Sequence, residues 1–320
     1  MKYLNVEGSN YELGLRAGRA LREGILYRMG KYGITDAAVR RHEKEIKDAY
    51  ALHMRRYPRY MRELKGISDG SGVPYVKILL LNFDEIREAL GGCSSIAVNK
   101  DGDVALFHNE DGDSWERKEQ CALVRFKEGP TTYHFFAYPG ELPGCSYNWN
   151  SHGLFFSVNY VQHIRIDRKG VFRDFTARKM IEARDLKDAI RILGKNTDAS
   201  GYHYYIGKGD RIISVEKAND EIDVMEVDGT DCHTNHYIHK KFGKDLGWDR
   251  NSIIRLRQVR KLLASGVEPI RILRDKGNKP DSIFAGRGCT LRTLSTVVFK
   301  PCMGEVMIYD RDRLEKKFRL

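Results

Sequence analysis

Gly91-Gly92-Cys93-Ser94-Ser95-Ile96-Ala97-Val98 is the stretch from which the rest of the chain is best read. Two glycines give the backbone unusual freedom immediately before a thiol. A strand-like apolar run follows, then a turn at Asp101-Gly102, then a second strand that ends in Asn109-Glu110-Asp111. The pattern describes a nucleophile at the start of a β-hairpin, with a carboxylate returned beside it. If the chain is cut after Gly92, Cys93 becomes a new N-terminus and carries its nucleophile and its base on one residue.

Working outward, the bulk properties set limits. A chain of 320 residues holds one large α/β domain or two small ones, and 41% hydrophobic with 10% aromatic residues is enough for a substantial core. The net charge of +11 comes from 55 basic against 44 acidic residues scattered along the sequence, the usual mark of a solvated surface. A nucleic-acid-binding reading would need a binding motif and strongly salt-dependent association, and the motif is missing. Residues 1–10 carry charges and no apolar core of signal-peptide length, and no run of about 20 apolar residues follows. The expectation is a soluble cytoplasmic protein with no membrane and no nucleic-acid partner. Cysteines 93, 121, 145, 232, 289 and 302 are far apart and lack CxxC pairing, which suggests neither a zinc ribbon nor a disulfide framework.

The first ninety residues read as mainly helical, with one helix opening at Tyr11 and a long charged stretch from Asp36 to about Leu64. After Cys93 the period changes. Strands are expected at 95–98, 104–108, 121–126, 132–138 and 154–160, separated by turn residues. A helical block over 176–193 has Asp185 as an N-cap for its second half. Strands return at 202–206, 211–216 and 222–227. A helix over 252–263 buries Ile253, Leu256, Val259 and Leu263, and strands at 294–299 and 305–309 close the chain. Strands grouped on both sides of a helical block suggest two antiparallel sheets sandwiched by helices, in one compact unit covering 1–320.

Several of these stretches together resemble the penicillin acyltransferase-like branch of the N-terminal nucleophile (Ntn) hydrolases, related to choloylglycine hydrolases. The residues that carry the resemblance are Gly8-Ser9-Asn10-Tyr11-Glu12-Leu13-Gly14, Glu63-Leu64-Lys65-Gly66-Ile67, Gly91 to Ser95 and Asn109-Glu110-Asp111. They continue with Asn150-Ser151-His152-Gly153-Leu154, Ile181-Glu182-Ala183-Arg184 and His233-Thr234-Asn235-His236. The resemblance implies an α+β fold, a four-layer αββα sandwich of antiparallel sheets. It also implies autocatalytic cleavage between Gly92 and Cys93, giving a light chain of 1–92 and a heavy chain of 93–320.

Under that resemblance Cys93 is the nucleophile of amide hydrolysis or acyl transfer, and its own α-amino group is the base. An α-amine of pKa about 8 and a thiol of about 8.5 exchange a proton almost evenly near neutral pH, whereas the amide of the uncut chain has no usable basicity. Asp111, eighteen residues after the cysteine, would orient the new amino terminus. Asn235 and Asn159 match family asparagines of the oxyanion hole, where a donor contributes roughly 3 kcal/mol. Relatives of the choloylglycine type carry arginine where this chain has His108, and the late arginine that completes their site matches Arg292 or Arg287; all three are expected to shape substrate binding. No cofactor is implied. The partners implied are a small-molecule amide or acyl donor and the two chains of one precursor, with homo-oligomerisation left open.

Two rival readings compete with this one. The run Cys232-His233-Thr234-Asn235-His236-Tyr237-Ile238-His239 holds four ligand-type residues in eight, but it lacks HExxH spacing and a regular helix to align them, so no metal is expected. An uncleaved, non-catalytic relative would use the same cleft to bind a ligand, and would need neither the thiol nor a free amine at Cys93.

Overall fold

The computed structural model describes residues 1–87, 92–161, 166–242 and 249–320; Gly91 of the opening motif lies outside them. Strand β1 (Lys2–Glu7) precedes helices α1 (Asn10–Ala20), α2 (Arg22–Lys31), α3 (Asp36–Arg41), α4 (Glu43–Arg56), α5 (Pro58–Ser71), α6 (Tyr75–Asn82) and α7 (Asp84–Arg87). Six strands come next: β2 (Gly92–Lys100), β3 (Asp103–Asp113), β4 (Ala122–Glu128), β5 (Thr131–Ala137), β6 (Tyr147–Asn150) and β7 (Leu154–Tyr160). After α8 (Arg173–Met180) and α9 (Leu186–Gly194) come β8 (Tyr202–Lys208), β9 (Arg211–Ala218), β10 (Glu221–Glu226) and β11 (Gly229–His233). Helices α10 (Arg250–Ala264) and α11 (Pro269–Ile272) lead to β12 (Leu291–Lys300), β13 (Glu305–Asp310) and β14 (Arg313–Arg319).

The strands form an eight-stranded sheet, β1-β4-β5-β6-β7-β8-β9-β10, and a six-stranded sheet, β11-β2-β3-β12-β13-β14. Alternation along the strands sorts their apolar side chains into layers. In β7, Leu154, Phe156 and Val158 pack with the helices of the first ninety residues and with α8 and α9. Phe155 of the same strand points the other way, toward Ala97, Leu106, Val297 and Phe299 of the six-stranded sheet. In that sheet Ile96, Phe107 and Val298 face outward onto Leu256 and Val259 of α10 and Ile272 of α11. Three apolar seams between four layers make the αββα sandwich.

Among the described strands the expected antiparallel pairing holds with one exception: β1 runs parallel to β4, from Lys2↔Ala122 to Glu7↔Lys127. The long charged stretch from Asp36 is three helices rather than one, broken at His42 and again before Pro58. Asp185 caps α9 as expected, its side chain accepting from the Asp188 amide. Helices α1 and α5 cross so closely that a Cβ on Gly14 would stand 1.9 Å from the Glu63 carbonyl oxygen, and one on Gly66 2.2 Å from that of Tyr11. Both glycines belong to the motifs that carry the family resemblance, and neither position has room for a side chain at this crossing. Among the described residues no helix is long and apolar enough to cross a membrane.

Candidate active site

The site is built from rows of register partners across three adjacent strands. Gly92, Asp111 and Thr293 form one row, Cys93, Glu110 and Ser295 the next, and Ser95, His108 and Val297 another. Side chains in one antiparallel row share a face, and neighbouring rows face opposite ways. Cys93, Glu110, Ser95 and His108 therefore point between the sheets, whereas Asp111 and Asn109 point toward the α10 side. The hairpin thus brings the carboxylate back beside the thiol, but on two faces rather than one.

On the inner face the Cys93 thiol donates to Glu110 Oε2 at 3.8 Å. Glu110 also accepts from Tyr138 OH at Oε1 and from Ser146 Oγ at Oε2, both at 2.5 Å. His108 Nε2 stands 3.0 Å from the same Oε2. The other ring nitrogen of His108 is 2.8 Å from Ser95 Oγ, which itself donates to Asn159 Oδ1 at 2.7 Å. Asn159 gives its amide N–H to the His233 carbonyl at 3.4 Å. Asn159 thus acts on Ser95, two residues beyond the nucleophile, and His108 is fully buried rather than facing a substrate. Strand alternation places His108 beside Glu110, in the buried network behind the nucleophile.

On the outer face, Asp111 Oδ1 accepts from Thr293 Oγ1 at 2.6 Å, while Oδ2 is buried with no hydrogen-bond partner among the described residues. Burial raises the pKa of this carboxyl from 3.8 to about 7, against the pull of Arg255 and Thr293. The Cys93 thiol is pushed well up, by burial first and then by the Glu110 and Asp111 charges. The Asp111 backbone amide and Arg255 oppose that shift.

Asn235 holds the nucleophile's backbone. Its Oδ1 accepts from Cys93 N at 2.9 Å and from Arg255 at 2.6 Å, and its Nδ2 donates to the Tyr160 carbonyl at 2.8 Å. These three contacts fix the amide's orientation, so in this uncut chain its N–H is directed to Tyr160. Ser252 of α10 anchors the loop: its Oγ accepts from the Asn235 amide at 2.6 Å and meets Thr234 Oγ1 and His236 Nδ1. The histidines of this stretch take separate partners, His233 on Glu216, His236 on Ser252 and His239 on Asp223 and Ser214.

Two residues of the candidate site escape the sequence reading. Arg255 donates to the Cys93 carbonyl at 2.6 Å, to Ser94 Oγ at 2.8 Å and to Asn235. It lies in the buried line Ser252, Arg255, Leu256 and Val259 of α10, where a hydrophobic-periodicity search passes over it. Glu110 stands out in the sequence only as the neighbour of Asp111. Arg292 and Arg287 are exposed and line an open cleft of about 560 Å³ whose wall includes Thr293, the residue that holds Asp111. Cys93, Glu110 and Asp111 line a second cavity of only about 60 Å³, bordered by Tyr138, Tyr160 and Arg173.

Ligand atoms of Cys93, His108 and Glu110 lie within 4.8 Å of one another, a spacing open to a metal ion. Each is already committed to a hydrogen bond, and Glu110 alone gathers four contacts, so the trio reads as a hydrogen-bonded network.

Residues 98–312 match the model of the acyl-coenzyme A:6-aminopenicillanic acid acyl-transferase family. The chain belongs to that family. It is also similar to the β-alanyl-dopamine/carcinine hydrolase of Drosophila melanogaster, 30% identical over 158 residues. That match covers 43% of this chain and 41% of the relative, so the chain spans less than half the length of that protein. Two solved structures of conjugated bile acid hydrolase from Clostridium perfringens, a cysteine-to-alanine mutant and an arginine-to-leucine variant, are also similar. They share 9% and 12% identity and a TM-score of 0.48 each, over 71% of this chain and 92% of theirs. Cys93 precedes the family-matched span by five residues, while Asp111, Asn235, Arg255 and Thr293 fall inside it.

Proposed function

We propose that this acyl-transferase family member is a self-processing cysteine Ntn hydrolase that cuts or forms a linear amide through a thioester on Cys93. The observation that carries the reading is Oδ2 of Asp111: a buried carboxylate oxygen without a hydrogen-bond partner among the described residues, in the row that contains Gly92. A buried polar atom left unpaired is costly, and an ammonium at Cys93 is the group that cleavage of the Gly92–Cys93 bond would supply there. The new amine would draw Asp111 into its charged form and act as base for the adjacent thiol.

In the mature site Asn235 Oδ1, already on Cys93 N, would hold the amine, and Arg255 would keep Asn235 and the Cys93 carbonyl in place. The oxyanion donor we assign is Asn235 Nδ2, once released from the Tyr160 carbonyl. Asn159 supports the site through Ser95. The cavity at Cys93 is too small for an amide substrate, since ligand pockets run to about 300 Å³ or more. Processing would therefore also open it. Arg287 and Arg292, which line the neighbouring cleft, would receive an anionic part of the substrate. The name of the Drosophila relative supports an acyl–amine amide as the substrate class. Six free cysteines fit a reducing, cytoplasmic setting.

The deciding experiment is intact mass under denaturing conditions for wild type and Cys93→Ala. Two wild-type pieces that meet at Gly92/Cys93, with the variant whole, are expected. A wild type that stays whole over prolonged incubation at several pH values would falsify self-processing and leave ligand binding in the same cleft as the leading reading.

A further inference from the structure

The mature enzyme's base does not exist before the cut. In the uncut chain Cys93 N is an amide that donates to Asn235, so some other group has to take the thiol proton. Among the described residues the thiol's hydrogen bond goes to Glu110 Oε2. Asp111 lies in the adjacent row on the opposite face, with one oxygen held by Thr293. Arg255 is permanently charged and cannot act as a base.

The polarity of the hydrogen bonds behind Glu110 adds a second observation. Asn159 is oriented by giving its N–H to the His233 carbonyl, so its Oδ1 faces Ser95 and takes that hydroxyl's proton. Ser95 Oγ must then accept from His108, which places a hydrogen on Nδ1. The remaining nitrogen, Nε2, faces Glu110 Oε2 at 3.0 Å, and that contact needs a proton of its own. The His108–Glu110 pair therefore already shares one proton. The thiol proton would pass to the carboxylate oxygen that this ring also contacts.

We propose that Glu110, backed by His108, is the base that takes the Cys93 thiol proton during self-cleavage of the uncut chain. This rests on the self-processing reading above. The S–H proton passes to Glu110 Oε2 as Sγ bonds to the Gly92 carbonyl carbon. The tetrahedral intermediate then expels Cys93 N, which takes that proton as the C–N bond breaks, leaving a Gly92 thioester on Sγ and a free amine. Water attacks the thioester, releases the Gly92 carboxyl group and restores the thiol. The enzyme thus uses one base once, for maturation, and another in every turnover.

The test uses full-length chain diluted from denaturant, with cleavage read by intact mass over time. Wild type, Cys93→Ala, Glu110→Ala and Glu110→Gln are compared, each with sodium formate or with sodium chloride at equal ionic strength. Glu110 lines the cavity at Cys93, so a small carboxylate can enter the space that Glu110→Ala vacates. Both Glu110 variants are expected to cleave on the order of 100-fold more slowly than wild type. Formate, and not chloride, should restore part of the rate to Glu110→Ala, and Cys93→Ala should stay whole throughout. If the alanine variant is misfolded by circular dichroism, the nearly isosteric glutamine variant carries the test. Cleavage of a folded Glu110 variant within threefold of wild type overturns the assignment. So does a slow Glu110→Ala that formate leaves unchanged, which would make the role structural. A wild type that never cleaves removes the self-processing reading and this base together, so the two failures look different.

Discussion

Glu110 and Asp111 are consecutive, both buried, and both within reach of Cys93, yet their surroundings are opposite. Glu110 faces the inter-sheet space and gathers Tyr138, Ser146, His108 and the thiol around two oxygens. Asp111 faces the α10 side with Thr293 on one oxygen and, among the described residues, no hydrogen-bond partner on the other. One residue's step along a strand reverses the face, and here it separates a satisfied carboxylate from an incomplete one. The saturated group is suited to what happens before a cut. The incomplete group is suited to what a cut creates.

The largest expected effect tests that contrast through stability in the uncut Cys93→Ala chain. Asp111 has its pKa raised from 3.8 to about 7, so folding favours its protonated form. Between those values the folded state binds the extra proton, and stability falls as pH rises from about 4 to 7, by up to roughly 4 kcal/mol. Asp111→Asn should remove most of that loss: more stable than its parent at pH 8, and without advantage at pH 4, by urea unfolding. Equal stability of the two at both pH values would end the claim that Asp111 is waiting for a charge.

In the cut enzyme the same substitution should do harm, because the ammonium then needs its carboxylate. Turnover of an acyl amide, measured as amine release, should drop on the order of 100-fold. Glu110→Gln in the Cys93→Ala chain should move stability the other way, costing about 2–3 kcal/mol as charge-assisted hydrogen bonds become neutral ones. A stabilising Glu110→Gln would erase the difference between the two positions.

Smaller effects sharpen the comparison at its edges. Arg255→Lys keeps the charge near Asp111 and loses the fork that spans Cys93 O, Ser94 and Asn235, for about 1–2 kcal/mol in unfolding. Arg287→Ala and Arg292→Ala should change stability by less than about 0.5 kcal/mol, both being exposed. They should raise KM for acidic substrates while leaving neutral ones alone, and a kcat loss on neutral substrates would move these arginines from the cleft wall into the chemistry.

Much of the fold is legible wherever alternation is strong. The strand Leu154–Tyr160 has the bounds its sequence suggests, and the hairpin from Cys93 to Asp111 arises from two apolar runs and one turn. Strands β1 (KYLNVE) and β14 (RLEKKFR) carry mixed, mostly exposed side chains, so only partner strands reveal them. The site divides the same way. Cys93, Asp111 and Asn235 stand in recognisable local patterns. Arg255 hides because a charged residue on a helix is normally placed in solvent, and its burial depends on a strand more than a hundred residues earlier. His108 has a face set by register, which no local motif encodes.

The parallel strand at the edge of the larger sheet has a consequence for the life of the molecule. Residues 1–87 are woven into the body formed by the residues after Gly92: β1 is a strand of the sheet built from later residues, and Glu63 of α5 sits 2.9 Å from Arg178 of α8, both buried. A break after Gly92 would therefore release nothing, and a size measurement would see one particle before and after. The route back to the fold would change instead. The intact chain would find its fold with both segments tethered, whereas two separated pieces would have to meet, so recovery from denaturant would become concentration-dependent. Maturation would make the protein assemble once and persist, with no unimolecular way back.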